Sequence, residues 1–184
     1  MTNAPVLCPE PEGRHPCPRD LAHFEAIAGL AHAEAGLVLA REKAPMVLAR
    51  VGKRMRAAGH ADLAAYRAHL EGPDGAAERR ELICTLTTNV TSFYRERHHF
   101  EILRHRLLPE FADRARGGGR VRLWSAGCST GQEPYSLAMT VLDVLPEAAE
   151  LDLRILATDI DAHVLASARM AAYSGQQVAT LPAD

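Results

Sequence analysis

The sequence predicts an α/β chain: an all-helical region comes first, and the opening part of a parallel strand–helix–strand domain follows. Two observations carry this. Apolar residues recur at helical spacing from Leu21 to Leu86, with turn signals between the runs. After Gly117-Gly118-Gly119 the rhythm changes to short apolar runs alternating with helical ones. A third observation lies inside that second part. Leu123-Trp124-Ser125-Ala126-Gly127-Cys128-Ser129-Thr130-Gly131-Gln132-Glu133-Pro134-Tyr135-Ser136 turns from a strand through two glycines into a helix. Glycines let backbone approach a ligand, and a helix start offers unpaired N–H groups, so such a loop suits a nucleotide-like molecule. A Gly-x-x-x-Gly loop on its own is also an ordinary strand-to-helix turn.

Composition sets the bounds. With 184 residues, 47% hydrophobic and 24% charged, the chain has room for one medium or two small globular domains. A formal charge of −2 gives no support to a nucleic-acid binder. No apolar run reaches the roughly 20 residues that span a bilayer, so direct membrane insertion is not expected. The first twenty residues hold five prolines and no apolar core, unlike a secretory signal. Cys8, Cys17, Cys84 and Cys128 show no Cys-x-x-Cys pairing and read as scattered cytosolic thiols. Cys8, His15 and Cys17 lack a nearby fourth ligand, so no metal is expected.

Residues 1–19 read as a flexible, proline-rich leader. Asp20 is placed to cap a helix with Leu21, Phe24, Ile27 and Ala28 on one face, ended by Gly36. Pro45 suits a first turn and opens a helix to about Arg56. There Leu48, Val51 and Met55 share one face, and Arg50, Lys53 and Arg54 another. Gly59 stops it. Asp62 starts a short helix with Leu63, Tyr66 and Leu70, Gly72-Pro73-Asp74-Gly75 turns the chain, and a last helix turns Leu82, Ile83 and Leu86 inward. Residues 20–86 thus form a helical domain. Thr87 to Ser92 is polar and poor in helix formers, and 87–96 reads as a linker. Residues 97–184 form the second domain. Phe100, Leu103, Leu107 and Phe111 stripe one helix; strands follow at Val121–Ser125 and Leu153–Thr158, helices at Pro134–Leu145 and Ala162–Ala171. Such a unit takes a right-handed crossover.

The second strand runs into Thr158-Asp159-Ile160-Asp161, and an acidic residue there is where Rossmann-like folds hold ribose hydroxyls. Asp161 is the better placed of the two aspartates to cap the following helix. Taken with Thr87-Thr88-Asn89-Val90-Thr91-Ser92-Phe93-Tyr94-Arg95-Glu96 and His98-His99-Phe100, these motifs resemble the chemotaxis receptor methyltransferases, the CheR family. Gly36-Leu37-Val38-Leu39, Lys43, Arg50 and Arg54 fit its helical start, and the resemblance covers about Leu21 to Tyr173. It implies a class I S-adenosylmethionine-dependent methyltransferase domain with a Rossmann-like fold. It also implies a cytoplasmic enzyme that methylates glutamates on the cytoplasmic helical domain of methyl-accepting chemoreceptors.

By motif match the resemblance makes Asn89, Thr91, Arg95, Ala126, Gly127, Glu133, Asp159 and Ile160 cofactor contacts. Asp159 would take the ribose diol and Glu133 the cofactor ammonium. Arg95, the residue nearest to a catalytic role, would offer a fork of donors to a carboxylate. The face carrying Arg50, Lys53 and Arg54 is either a solvated helix face or a steering surface for the acidic receptor. His98 and His99 read as surface or helix-start positions, and Trp124 and Tyr135 as core or pocket wall.

The chain departs from the family in two ways. Gln132 stands where many relatives carry a second glutamate. Family members also continue past the second strand–helix unit, so the chain is expected to be truncated and weakly active or inactive alone. Two readings from other classes compete. A non-catalytic module would dock a partner through the basic helix of its helical domain. A dinucleotide oxidoreductase fragment fits the βαβ unit but lacks the Gly-x-Gly-x-x-Gly spacing.

Overall fold

A computed structural model describes residues 17–179 and 181. The leader therefore lies outside the described residues apart from its last three positions, and so do Cys8 and His15 of the weighed metal cluster. Among the described residues no group of three or more metal-ligating side chains occurs, and no helix is long and apolar enough to cross a membrane. The chain divides between Leu86 and Thr87 into two compact units.

The first unit holds α1 (Pro18–Ala35), α2 (Ala44–Ala57), α3 (Leu63–Glu71) and α4 (Ala76–Leu86). Helix α1 starts two residues before the expected cap. Pro18 supplies the first turn, and Asp20, now in the helix, accepts from the Cys17 N–H at 3.2 Å. A carboxylate there still meets the positive end of the helix, so the same residue serves from inside. Gly36 closes α1 with φ +66°, its N–H on the His32 carbonyl at 2.8 Å. Asp62 caps α3, accepting from the Ala65 N–H at 2.8 Å. The core joins Phe24, Ile27 and Ala31 to Val47, Val51, Met55, Tyr66, Leu70, Leu82, Ile83 and Leu86. Each large apolar side chain buried there contributes about 1.5–3 kcal/mol.

The second unit holds α5 (Arg97–Ile102), α6 (Leu108–Arg116), β1 (Val121–Ser125), α7 (Gln132–Val144), β2 (Leu153–Ala157), α8 (Ala162–Met170) and α9 (Gly175–Val178). One expected helix is here two. A π-helical turn, Leu103–Leu107, separates α5 from α6. Pro109 has no N–H to give, and its ring crowds the carbonyl four residues back, so the turn before it widens. The wider turn rotates the apolar face. Leu103, Leu108, Ala112 and Ala115 are buried, whereas Leu107, expected inward, is 43% exposed.

Strands β1 and β2 pair in parallel, Val121 opposite Leu153 and Ser125 opposite Ala157. Val121, Leu123, Leu153 and Ile155 pack on one face against Leu108 and Ala112 of α6, Val141 of α7 and Leu145 just past it. The other face carries Arg122, Trp124, Arg154 and Leu156, with Trp124 66% and Leu156 57% exposed. Trp124 is thus no core residue. Side chains alternate along a strand, and its neighbours Leu123 and Ser125 take the covered side.

Candidate functional site

The C-terminal ends of two parallel strands, where α/β sheets bind ligands, bring the candidate residues together. At the end of β1, Ser125 is fully buried and donates its hydroxyl to Glu133 Oε1 at 2.7 Å. That bond aims the carboxylate of an otherwise exposed residue in the first turn of α7. Ala126 and Gly127 are exposed, and a Cβ built on Gly127 would meet nothing within 4 Å. The backbone is open there. Gly131 is the opposite case: it has φ +100°, and a Cβ would lie 2.5 Å from Tyr173 Oη and 3.1 Å from Ala168 Cβ. Only glycine fits that turn. Tyr173 lies over it and donates to the Thr130 carbonyl at 2.8 Å.

Cys128 lies between the glycines, fully buried, and its N–H reaches the Thr158 carbonyl at 3.0 Å. Burial, with Asp159 nearby, pushes its thiol up, so it stays neutral. A thiol held neutral is a packing group here and no nucleophile.

At the end of β2, Asp159 accepts from the Ser129 N–H at 2.8 Å through Oδ2 and from the Asp161 N–H at 2.9 Å through Oδ1. Each oxygen keeps a second acceptor direction, so the carboxylate is fixed and still able to receive a hydroxyl. Ile160 beside it is 54% exposed. Asp161 caps α8, accepting from the His163 N–H at 2.9 Å and the Val164 N–H at 3.4 Å, as its position suggested.

The polar segment before α5 belongs to the second unit. Asn89 donates to Asp161 Oδ2 at 2.7 Å, and its carbonyl accepts from the Ser129 hydroxyl at 3.0 Å. Thr91 is half-buried and Arg95 exposed. The Arg95 guanidinium turns back to the Val90 carbonyl at 2.7 Å. Tyr94 and Glu96 have φ +51° and +55°, strain that function tolerates when neighbours fix the chain. Two neighbours do so. Ser136 accepts from the Tyr94 N–H at 3.0 Å, and buried Phe93 meets the Tyr173 ring edge-on at 4.9 Å.

Asn89, Asp159 and the glycine loop are therefore joined by direct hydrogen bonds, while Arg95 and Glu133 each reach elsewhere. Sequence reasoning missed Ser125, Ser129, Ser136 and Tyr173. Ser136 has a readable signal, a small polar residue one turn after Gln132 in α7; Tyr173 has none.

A carboxylate fixed at each strand end, with open backbone between them, suits a ligand carrying hydroxyls and an ammonium. Family comparison names such a ligand. Residues 89–184 match the CheR methyltransferase SAM binding domain, and residues 22–87 the CheR methyltransferase all-alpha domain. The chain belongs to the CheR methyltransferase family. A probable chemotaxis protein methyltransferase of Rhizobium etli is 52% identical over 129 residues, which are 70% of this chain and 48% of that protein. The chemotaxis protein methyltransferases of Salmonella typhimurium and Escherichia coli are 43% and 42% identical, each over 70% of this chain and 42% of their own length. The chain thus spans under half the length of these curated relatives. The matched domain indicates S-adenosylmethionine as the cofactor.

The basic residues of α2 lie in the first unit. Lys53 is exposed. Arg50 reaches the Leu86 carbonyl at 3.3 Å, where a cation meets the negative end of α4. Arg54 forms a two-pronged pair with Glu78, Nε–Oε1 2.8 Å and Nη2–Oε2 2.6 Å. Its charge is compensated within the unit. Fully buried Tyr66 donates to the same Glu78 at 2.7 Å.

Proposed function

We propose that this chain carries the cofactor-recognising part of an enzyme that transfers a methyl group from S-adenosylmethionine to glutamate side chains of chemoreceptors. The observation that carries the reading is Asp159, a carboxylate oriented by two backbone N–H groups at the end of β2. Asp159 would hold the ribose diol. Glu133, aimed by Ser125, would accept from the ammonium, and Ala126, Gly127 and Ile160 would line the path between. Asn89 and Thr91 would approach from the segment before α5. Arg95 would release Val90 and offer its fork to a carboxylate, the cofactor's or the incoming glutamate's.

Bound S-adenosylmethionine supplies a methyl group activated on a sulfonium. A glutamate with an ordinary pKa near 4.3 is already an anion at neutral pH and needs no general base to attack. The chain's part is to orient the two reactants and exclude water between them, for which effective molarities of roughly 10⁵ M or more are available.

The acceptor is the cytoplasmic helical bundle of a chemoreceptor, and the protein works in the cytoplasm. On the first unit we assign attraction of that acidic bundle to the α2 face of Arg50, Lys53 and Arg54. Lys53 supplies the uncompensated charge, so the effect weakens with salt. An uncovered sheet face supports low turnover by the chain alone.

The test extends the chain with the remaining half of the Rhizobium etli relative and supplies methyl-labelled S-adenosylmethionine with a receptor cytoplasmic fragment. The expected product is receptor-bound label released as methanol by alkali, as a glutamyl ester requires. Label that survives alkali, or a folded, cofactor-binding fusion that labels no receptor, would contradict the proposal.

A further inference from the structure

Four segments of the second unit are closed into one circuit of hydrogen bonds. Asn89 gives its side-chain N–H to Asp161 Oδ2 at 2.7 Å. The Asp161 N–H goes to Asp159 Oδ1 at 2.9 Å, and Asp159 Oδ2 receives the Ser129 N–H at 2.8 Å. The Ser129 hydroxyl returns to the Asn89 carbonyl at 3.0 Å. The segment before α5, the glycine loop, the end of β2 and the start of α8 thus hold one another. Asp161 is the junction. It is only 4% exposed, and its other oxygen caps α8 at the His163 N–H. Ser129 also sits at φ +49°, a conformation that a non-glycine residue keeps only when its surroundings fix it.

We propose that Asp161 is a positioning residue of the cofactor site, acting through Asn89 and through the orientation of Asp159. It touches no reacting atom. Its carboxylate holds Asn89 in place, Asn89 holds the Ser129 hydroxyl, and the loop then presents the Ser129 N–H that fixes Asp159. The inference rests on the proposed function for its ligand but not for its geometry.

The circuit specifies its own reversal. In Asn89→Asp two carboxylates would meet across a 2.7 Å contact in a nearly buried position, where like charges repel strongly. Adding Asp161→Asn puts the donor on the other side. An asparagine at 161 still caps α8 through its side-chain oxygen, and an aspartate at 89 accepts the new bond. The test compares the 184-residue chain with N89D and with N89D/D161N, all with unchanged far-UV circular dichroism. Hydrogen exchange at the Ser129 amide is read without ligand, and S-adenosylhomocysteine affinity by calorimetry. N89D is expected to speed Ser129 exchange and to weaken binding about tenfold, equivalent to about 1.4 kcal/mol. N89D/D161N is expected to recover most of both. Unchanged Ser129 exchange in N89D would overturn the proposal, as would a double variant no better than the single one. Faster exchange with unaltered affinity would overturn the positioning role. A wild-type chain that takes up no ligand would count against the proposed function, while the exchange data still decide the clamp.

Discussion

Replacing Glu78 by alanine is expected to destabilise the helical unit by about 3–5 kcal/mol, the usual loss when one partner of a buried ion pair is removed. The Glu78 side chain is 10% exposed and that of Arg54 26%, so the abandoned guanidinium would remain partly desolvated. Tyr66 would lose the acceptor of its hydroxyl as well. Total stabilities of about 5–15 kcal/mol make this a large fraction. Urea unfolding followed by far-UV circular dichroism checks it. Arg54→Met with Glu78→Leu should recover much of the loss, because a matched apolar pair leaves no buried charge alone. A loss below about 1 kcal/mol in the single variant would mean that the pair behaves as a solvated surface bridge.

The pH dependence has a definite sign. Hydrogen bonds from Arg54, opposed by burial and helped by Tyr66, hold the Glu78 carboxyl below its usual value of 4.5. The unfolded chain therefore takes up this proton at higher pH than the folded one. Stability from the pair is fully present above about pH 4.5 and is lost as pH falls through the lowered folded value. In Glu78→Gln this part of the acid sensitivity should vanish.

Gly131→Ala is expected to destabilise the second unit by about 2–4 kcal/mol, the size typical of overpacking combined with backbone strain. A methyl there would meet the Tyr173 hydroxyl at 2.5 Å, on a residue at φ +100°. The bond from Tyr173 to the Thr130 carbonyl would break and the loop would shift. Adding Tyr173→Phe removes the clashing oxygen and should return part of the loss, a coupling that thermal unfolding reads. The backbone strain would remain. Gly127 makes the contrast, because a Cβ added there meets nothing in the protein within 4 Å. Gly127→Val should leave stability within about 0.5 kcal/mol, as surface changes do, and still block the cofactor. If Gly131→Ala melts with wild type, or Gly127→Val binds normally, the division between structural and ligand-facing glycine is wrong.

Local signals carried much of the fold. Gly36, Asp62, Pro45 and Asp161 act where their chemistry suggested, because a cap or a first-turn proline answers to a few neighbouring backbone groups. Both strands lie within a residue of expectation. The π turn did not show, because Leu103, Leu107 and Phe111 keep helical spacing and Pro109 shifts the register from outside that pattern. The core alternative for Trp124 failed for a different reason: an aromatic residue in a strand says it suits a sheet, not which face another element covers. At the site, motif and placement pointed to Asp159 and Glu133. The partners that orient them, Ser125 and Ser129, and Tyr173 over the glycine loop, are common residue types whose roles arise only from tertiary proximity. Arg54 belongs with these. A basic stripe on α2 was legible, but the acidic partner on α4 lies 24 residues on, with no local pattern linking the two.

The most direct test of the account is calorimetric titration of S-adenosylhomocysteine into the 184-residue chain, beside Asp159→Ala checked for unchanged far-UV circular dichroism. Saturable one-to-one binding is expected for the wild type and binding weaker by about tenfold or more for the variant, for loss of a charged hydrogen-bond acceptor. A folded wild-type chain that binds nothing, or a variant that binds equally well, would contradict the assignment of the cofactor site to the end of β2.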